Sequence, residues 1–280
     1  MNKNQTNARR RDLINNSQFR LGVICILIVL IIACASFVLV SPLVMDISKR
    51  LLPALSPDHF LGTDQFGRDI LSRISRGIQL SIWIGFLASL LALVIGMIVG
   101  ISAGYFGKVV DSLLMRIVDI IQSFPILLIL IALAAVFPPS TKLTVLAIGG
   151  VFWTGLARIV RGQVLQIKTK SYIHSVRSMG YSHLRIITSH ILPNCIAPII
   201  IVFTMNISGA IMFEASLSFL GMGIQPPDPS LGRMITEGKD FLRVAPHISL
   251  IPGLTIALIV LGFNLAGEGI RDVLDVRLNK

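Results

Sequence analysis

Stretches of 18 or more residues without a formal charge recur along this chain and leave it few folds to choose from. A helix of about 20 apolar residues crosses a hydrocarbon core of roughly 30 Å, and apart from a closed barrel no other element satisfies its own backbone there. Six crossings are expected, at 21–40, 78–104, 113–137, 144–161, 196–222 and 248–267. The fourth is the shortest, uncharged only from Leu143 to Ala157, so Lys142 and Arg158 must turn their charges toward the interfaces. The sequence thus predicts an all-α polytopic membrane protein with six transmembrane helices. In the second crossing Ala88, Ala92, Gly96, Gly100 and Gly104 recur every four residues, a stripe that lets another helix approach closely. Pro125 predicts a kink in the third.

The charges orient these crossings. Of 25 Lys and Arg residues, 16 lie in 1–20, 104–116, 158–190 and 269–280, and seven of the 14 acids lie beside the other nine. Positive loops stay in the cytoplasm, so both termini are expected there. The same distribution argues against nucleic acid as the partner behind the net charge of +11, because the basic residues flank apolar runs instead of lining a soluble face. The expected organisation is a cytoplasmic segment at 1–20, a first transmembrane helix with an extracytoplasmic segment at 21–76, a core of five helices at 77–270 and a cytoplasmic tail at 271–280. The first apolar run exceeds a signal-peptide core and lacks a small-residue cleavage pattern after it, so it is read as a retained span. Cys25, Cys34 and Cys195 lie in apolar segments with no metal-ligand spacing, and the five histidines show none either. No metal site is expected.

One cytoplasmic segment, about 162–192, exceeds what a connector needs. Between Gly155 and Phe213 there is no acid, yet Arg158, Arg161, Lys168, Lys170, Arg177 and Arg185 all fall there. Tyr172, Val176, Met179 and Leu184 recur at roughly helical spacing and Gly180 permits a turn, which predicts a short helix, a glycine break and a second helix that re-enters the bilayer near Pro193. Such a device suits docking of a partner. The chain has no GxxxxGK[ST] phosphate loop, since Gly107-Lys108 and Gly238-Lys239 lack the upstream glycine and the following Ser or Thr. If ATP drives this protein, another polypeptide binds it.

Glu214, set among Phe213, Ala215 and Leu217, must face the bundle interior, either lining a translocation pathway or pairing helices. Asp119 has Arg116 available three residues earlier. Arg68 and Asp69, in the outside segment, are candidates for an extracytoplasmic gate, for contact with an external protein, or for a local turn-stabilising pair. Little beyond Glu214 offers the intramembrane charge that an ion-coupled secondary transporter, the alternative function, requires.

The residues resemble the membrane permeases of ATP-binding-cassette importers. Their cytoplasmic motif runs Glu-Ala-Ala, three residues, Gly, a spacer, then Ile-x-Leu-Pro. Gly180, Leu192 and Pro193 match it here, while His174, Ser175 and Val176 stand at the Glu-Ala-Ala positions and His190 at the Ile. GTDQFGRDILSR from Gly62, HILPN from His190, EASLSFLGMGIQPPDPSLGRMI from Glu214 and GEGIRDVLDVRL from Gly267 are similar to the C-type permease of dipeptide, oligopeptide and nickel importers. The resemblance implies a type I importer fold in the bacterial inner membrane, without enzymatic activity of its own. It implies four kinds of partner: a second related permease in a heterodimer, two ATPase subunits that bind ATP and Mg, an extracytoplasmic substrate-binding protein, and the lipid membrane. Tyr172, His174, Ser175, Val176, Arg177, Met179 and Gly180, with Leu192 and Pro193 at the re-entry, would then couple to the ATPase. The cargo would be a peptide, nickel or a metal chelate.

Overall fold

The computed structural model describes residues 15–35 and 41–275. The first helix, α1 (Ser17–Cys34), begins where the Asn16 side chain accepts from the Phe19 N–H. The expected continuation of that span through 36–40 lies outside the described residues, as do 1–14 and 276–280. The next helix, α2 (Ile70–Phe106), is 37 residues and about 55 Å long. It starts before the boundary expected at 76 because Asp69 caps it, accepting from the Ser72 N–H at 2.7 Å. It stops at Gly107, whose φ of +66° breaks the helical path.

The third crossing is a bent pair, not a single kinked helix. An 81° turn separates α3 (Lys108–Gln122) from α4 (Ile126–Val136). Pro125, without an N–H, stands immediately before α4 as its N-cap. After Ser140 as cap comes α5 (Thr141–Lys168), longer at both ends than expected. Then follow α6 (Ser171–Ser178), a turn at Gly180, α7 (His183–Ile186), a π-helical turn at Ile187–Ile191, and α8 (Leu192–Phe219). A short α9 (Leu231–Gly238) precedes α10 (His247–Asp275), which continues past the expected boundary at 270. Among the described residues, five helices are long and apolar enough to cross a membrane, or six if the bent pair counts as one.

Contacts fix the directions. Along the small-residue stripe of α2, Gly96 meets Leu156, Gly100 meets Ala157 and Gly104 meets Val164, so α2 and α5 run parallel. A Cβ at Gly100 would stand 2.6 Å from the Ala157 carbonyl oxygen; the two backbones approach as the stripe predicts. Two parallel helices need a return crossing between them, and α3 with α4 supplies it. The α8 helix runs antiparallel to α2, since Glu214 reaches Ser81 while Ile207 and Ile211 pack on Gly85. Likewise α10 is antiparallel to α1, with Gly262 against Cys25 and Gly269 against Phe19.

The bundle therefore has two ends. One holds residues 41–69, α9 and the start of α10; the other holds α6, α7 and the described termini. The α9 helix packs into the bundle by one face. Leu231 and Met234 are buried in one apolar cluster with Ile70, Ile74, Ile211 and Ile248, while the helix ends before Phe241, and Leu242 is exposed.

Candidate docking corner, buried carboxylate and charged end

At one end of α2 and α5, α6 and α7 form a corner. Gly180 turns it with φ +80°, a conformation that favours glycine, and a Cβ there would meet no atom within 4 Å. Strain, not collision, is what a side chain at 180 would introduce. Ile173, Ile186 and Ile191 are buried on the underside against Val160, Val164 and Ile167 of α5. The outward side is different in kind: Tyr172, Met179 and Leu184 are exposed large apolar groups, Met179 at 73%. His174, Ser175 and Arg177 are exposed beside them and Val176 is half-buried. Arg185 lies over the Tyr181 ring at 4.3 Å. At the re-entry Leu192 is half-buried and Pro193 exposed, in the first turn of α8. The corner is thus a surface with apolar anchors and positive charge, backed by a packed underside.

Two ion pairs stand near this end between α3 and α5. Arg161 holds Asp111, with one contact at 2.6 Å, and Arg158 holds Asp119 at 2.7 Å. The partner of Asp119 is therefore on another helix and not Arg116; the sequence offered the i, i+3 neighbour, but the antiparallel packing of α3 on α5 supplied a better one. Gln122 donates to Thr154 at 3.2 Å farther along the same seam.

Glu214 is fully buried in α8. It accepts hydrogen bonds from three serine hydroxyls: Ser81 of α2 at 2.9 Å, Ser218 of its own helix at 2.7 Å and Ser230 before α9 at 3.1 Å. Ser218 in turn accepts from the Ile224 N–H at 3.2 Å. One carboxylate thereby joins α2, α8 and the approach to α9.

The opposite end is held by charge. Asp64, fully buried, accepts from the backbone N–H of Phe66 and Arg68 at 2.8 and 3.0 Å, from Arg68 Nε at 2.7 Å, and from Arg73. Arg68 and Arg73 both reach Glu237 of α9, at 2.9 and 3.0 Å, and Arg233 closes the network at 3.1 Å. Burial by itself pushes the Glu237 carboxyl up, but the charges of Arg73 and Arg68 outweigh it and hold that carboxyl below its ordinary range. Arg68 and Asp69 do not pair with each other. Arg68 belongs to the network, and Asp69 caps α2 while contacting His59 at 3.0 Å; their side chains are 12% and 10% exposed. The sequence pointed to neither Asp64, Arg73, Arg233 and Glu237 nor the serines around Glu214. The closing partners lie 133 to 169 residues apart, and no local spacing announces them.

Comparison with known proteins places this arrangement. Residues 92–280 match the family described as binding-protein-dependent transport system inner membrane component. The chain belongs to that family. It is a multi-pass permease of the bacterial inner membrane. The permease is 38% identical over 270 residues, 96% of this chain and 90% of the relative, to a putative peptide transport system permease protein of Brucella abortus. It is 39% identical to the dipeptide transport system permease protein DppC of Haemophilus influenzae, over 93% of this chain and 90% of that one. It is 42% identical to the glutathione transport system permease protein GsiD of Pectobacterium atrosepticum, over 82% and 76%. In fold the permease is similar to a chain of the MetNI methionine ABC transporter in an inward-facing conformation, with a TM-score of 0.59 and 19% identity over 71% of this chain and 94% of that one.

Proposed function

We propose that this permease forms half of the translocation pathway of an ATP-driven peptide importer and couples to a separate ATPase through the α6–Gly180–α7 corner. The observation that carries the reading is the corner itself. It sets exposed Tyr172, Met179 and Leu184 among basic residues, with no acid between Gly155 and Phe213. Isolated apolar anchors ringed by polar groups are what a protein partner buries. The positive charge of this end supports a cytoplasmic position, where ATP and Mg are held by the ATPase. A second permease of the same family completes the pathway, two ATPase subunits sit beneath the pair, and a substrate-binding protein delivers cargo to the charged end.

Peptides are favoured over nickel or metal chelates because dipeptide, peptide and glutathione transport are in the names of relatives that cover most of the chain. Glu214 serves helix pairing, since its carboxylate is already engaged by three hydroxyls. Arg68 and Asp69 serve the extracytoplasmic gate from within, by keeping that end folded. Nucleotide states that bind one corner geometry better shift the bundle between inward-open and outward-open arrangements.

The test is Met179→Glu in the complex purified by a tag on this chain. The permease should insert normally, and ATPase recovery with it should fall at least tenfold. Full recovery of the ATPase with the variant would remove the docking reading.

A further inference from the structure

We infer that Tyr105 and His183 form the joint that carries movement of the corner into α2, an inference that rests on the docking reading above. Tyr105 is the penultimate residue of α2 and is nearly buried. Its hydroxyl lies 2.8 Å from Nδ1 of His183, the first residue of α7, and the two rings meet edge to face at 5.6 Å. The Phe106 ring stands against the same imidazole at 6.3 Å. Lys168, the last residue of α5, donates its ammonium to the Tyr105 carbonyl and lies 5.7 Å from the ring centroid. The ends of α2 and α5 and the start of α7 converge on one side chain.

Two features make this the route by which a push travels. Among the described residues, Tyr105–His183 is the side-chain hydrogen bond that links 171–191 to α2 and α5; the rest of the contact with those two helices is apolar packing. Aliphatic contacts slide at little cost, whereas a hydrogen bond loses strength steeply with distance and angle. The covalent route, from α7 straight into α8, is interrupted. It passes through the π-helical turn at Ile187–Ile191 and then Pro198, which lies inside α8 and removes a helical hydrogen bond. By contrast α2 has no proline in its 37 residues, is backed by α5 along the glycine stripe, and ends among the buried charges through Arg73. A displacement delivered at Tyr105 reaches the far end about 55 Å away along an uninterrupted rod. Tyr105 and His183 are positioning residues in this scheme and touch neither nucleotide nor cargo.

The experiment compares peptide transported per ATP hydrolysed in proteoliposomes of the whole complex. Tyr105→Phe removes one hydroxyl and keeps the ring. It should lower the ratio about fivefold, the equilibrium worth of one hydrogen bond, with ATPase recovery unchanged. His183→Leu should do the same, and His183→Asn, which keeps an acceptor near the Nδ1 position, should restore most of the ratio. A joint that is only structural would lower yield without moving the ratio. If Tyr105→Phe and His183→Leu both leave the ratio at the parent value while Met179→Glu still releases the ATPase, the joint is overturned and the docking corner survives. If Met179→Glu releases nothing, the docking reading itself fails. Should Tyr105→Phe not insert, the contrast between His183→Leu and His183→Asn decides alone.

Discussion

The two ends of the α2–α5 pair hold their neighbours by different means. At one end Asp64, Arg68, Arg73, Arg233 and Glu237 form a network whose charges are largely out of water. At the other, α6 and α7 rest on aliphatic side chains and one hydrogen bond, with Met179, Tyr172 and Leu184 facing outward. A buried charge network has few acceptable geometries, because any partner displaced leaves an uncompensated charge. An aliphatic underside has many. The contrast teaches that this permease is built stiff where the 41–69 segment and α9 meet the bundle and compliant where a moving partner would push.

The largest stability effect should come from the charged end. Asp64→Leu leaves Arg68, Arg73 and Arg233 to share the single carboxylate of Glu237 and frees two backbone N–H groups, so a loss of about 3–5 kcal/mol is expected, read as a lower thermal midpoint of the purified protein in detergent. Next comes Glu214→Leu, which leaves three buried hydroxyls without their acceptor, at about 1–3 kcal/mol for the set. Glu214→Gln should keep most of the stability, since the hydroxyls can turn to accept from the amide; equal damage from both variants would break the helix-pairing account. Gly100→Ala puts a methyl group against the Ala157 carbonyl and should cost about 1–3 kcal/mol by forcing α2 from α5.

Smaller still is the pH effect of Glu237. Its carboxyl is held below the ordinary range, so the stability it contributes is present above that range and is lost as pH falls through the depressed value. Thermal midpoints should fall on acidification below the ordinary carboxylate range, and Glu237→Gln should flatten that fall. At the corner, Gly180→Ala should cost only about 1 kcal/mol, from the positive φ alone, because the space around it is open. A corner variant as destabilising as Asp64→Leu would erase the distinction between the ends.

Much of the fold was legible in the sequence because hydropathy, glycine spacing and charge at span ends are local signals. The stripe from Ala88 to Gly104 announced a close helix partner, and α5 fills that place. The turn at Gly180 was readable because glycine between two periodic segments has few other uses. Helix ends were less readable: Asp69 capping drew α2 back to Ile70, and Pro125 split a crossing that hydropathy treats as one. Least legible were the polar partnerships. Arg158 with Asp119, Glu237 with Arg68 and Arg73, and three serines around Glu214 depend on which helix faces come together, which the chain specifies only once it is folded.

The central claim is that the corner receives the ATPase and the charged end does not. A photo-crosslinking residue placed at 179, and in a second variant at the exposed Leu55 in the 41–69 segment, tests it in the assembled complex. The account predicts a covalent adduct with the ATPase from position 179 and none from position 55. An ATPase adduct from position 55, or none from position 179 in a complex that retains its ATPase, contradicts it.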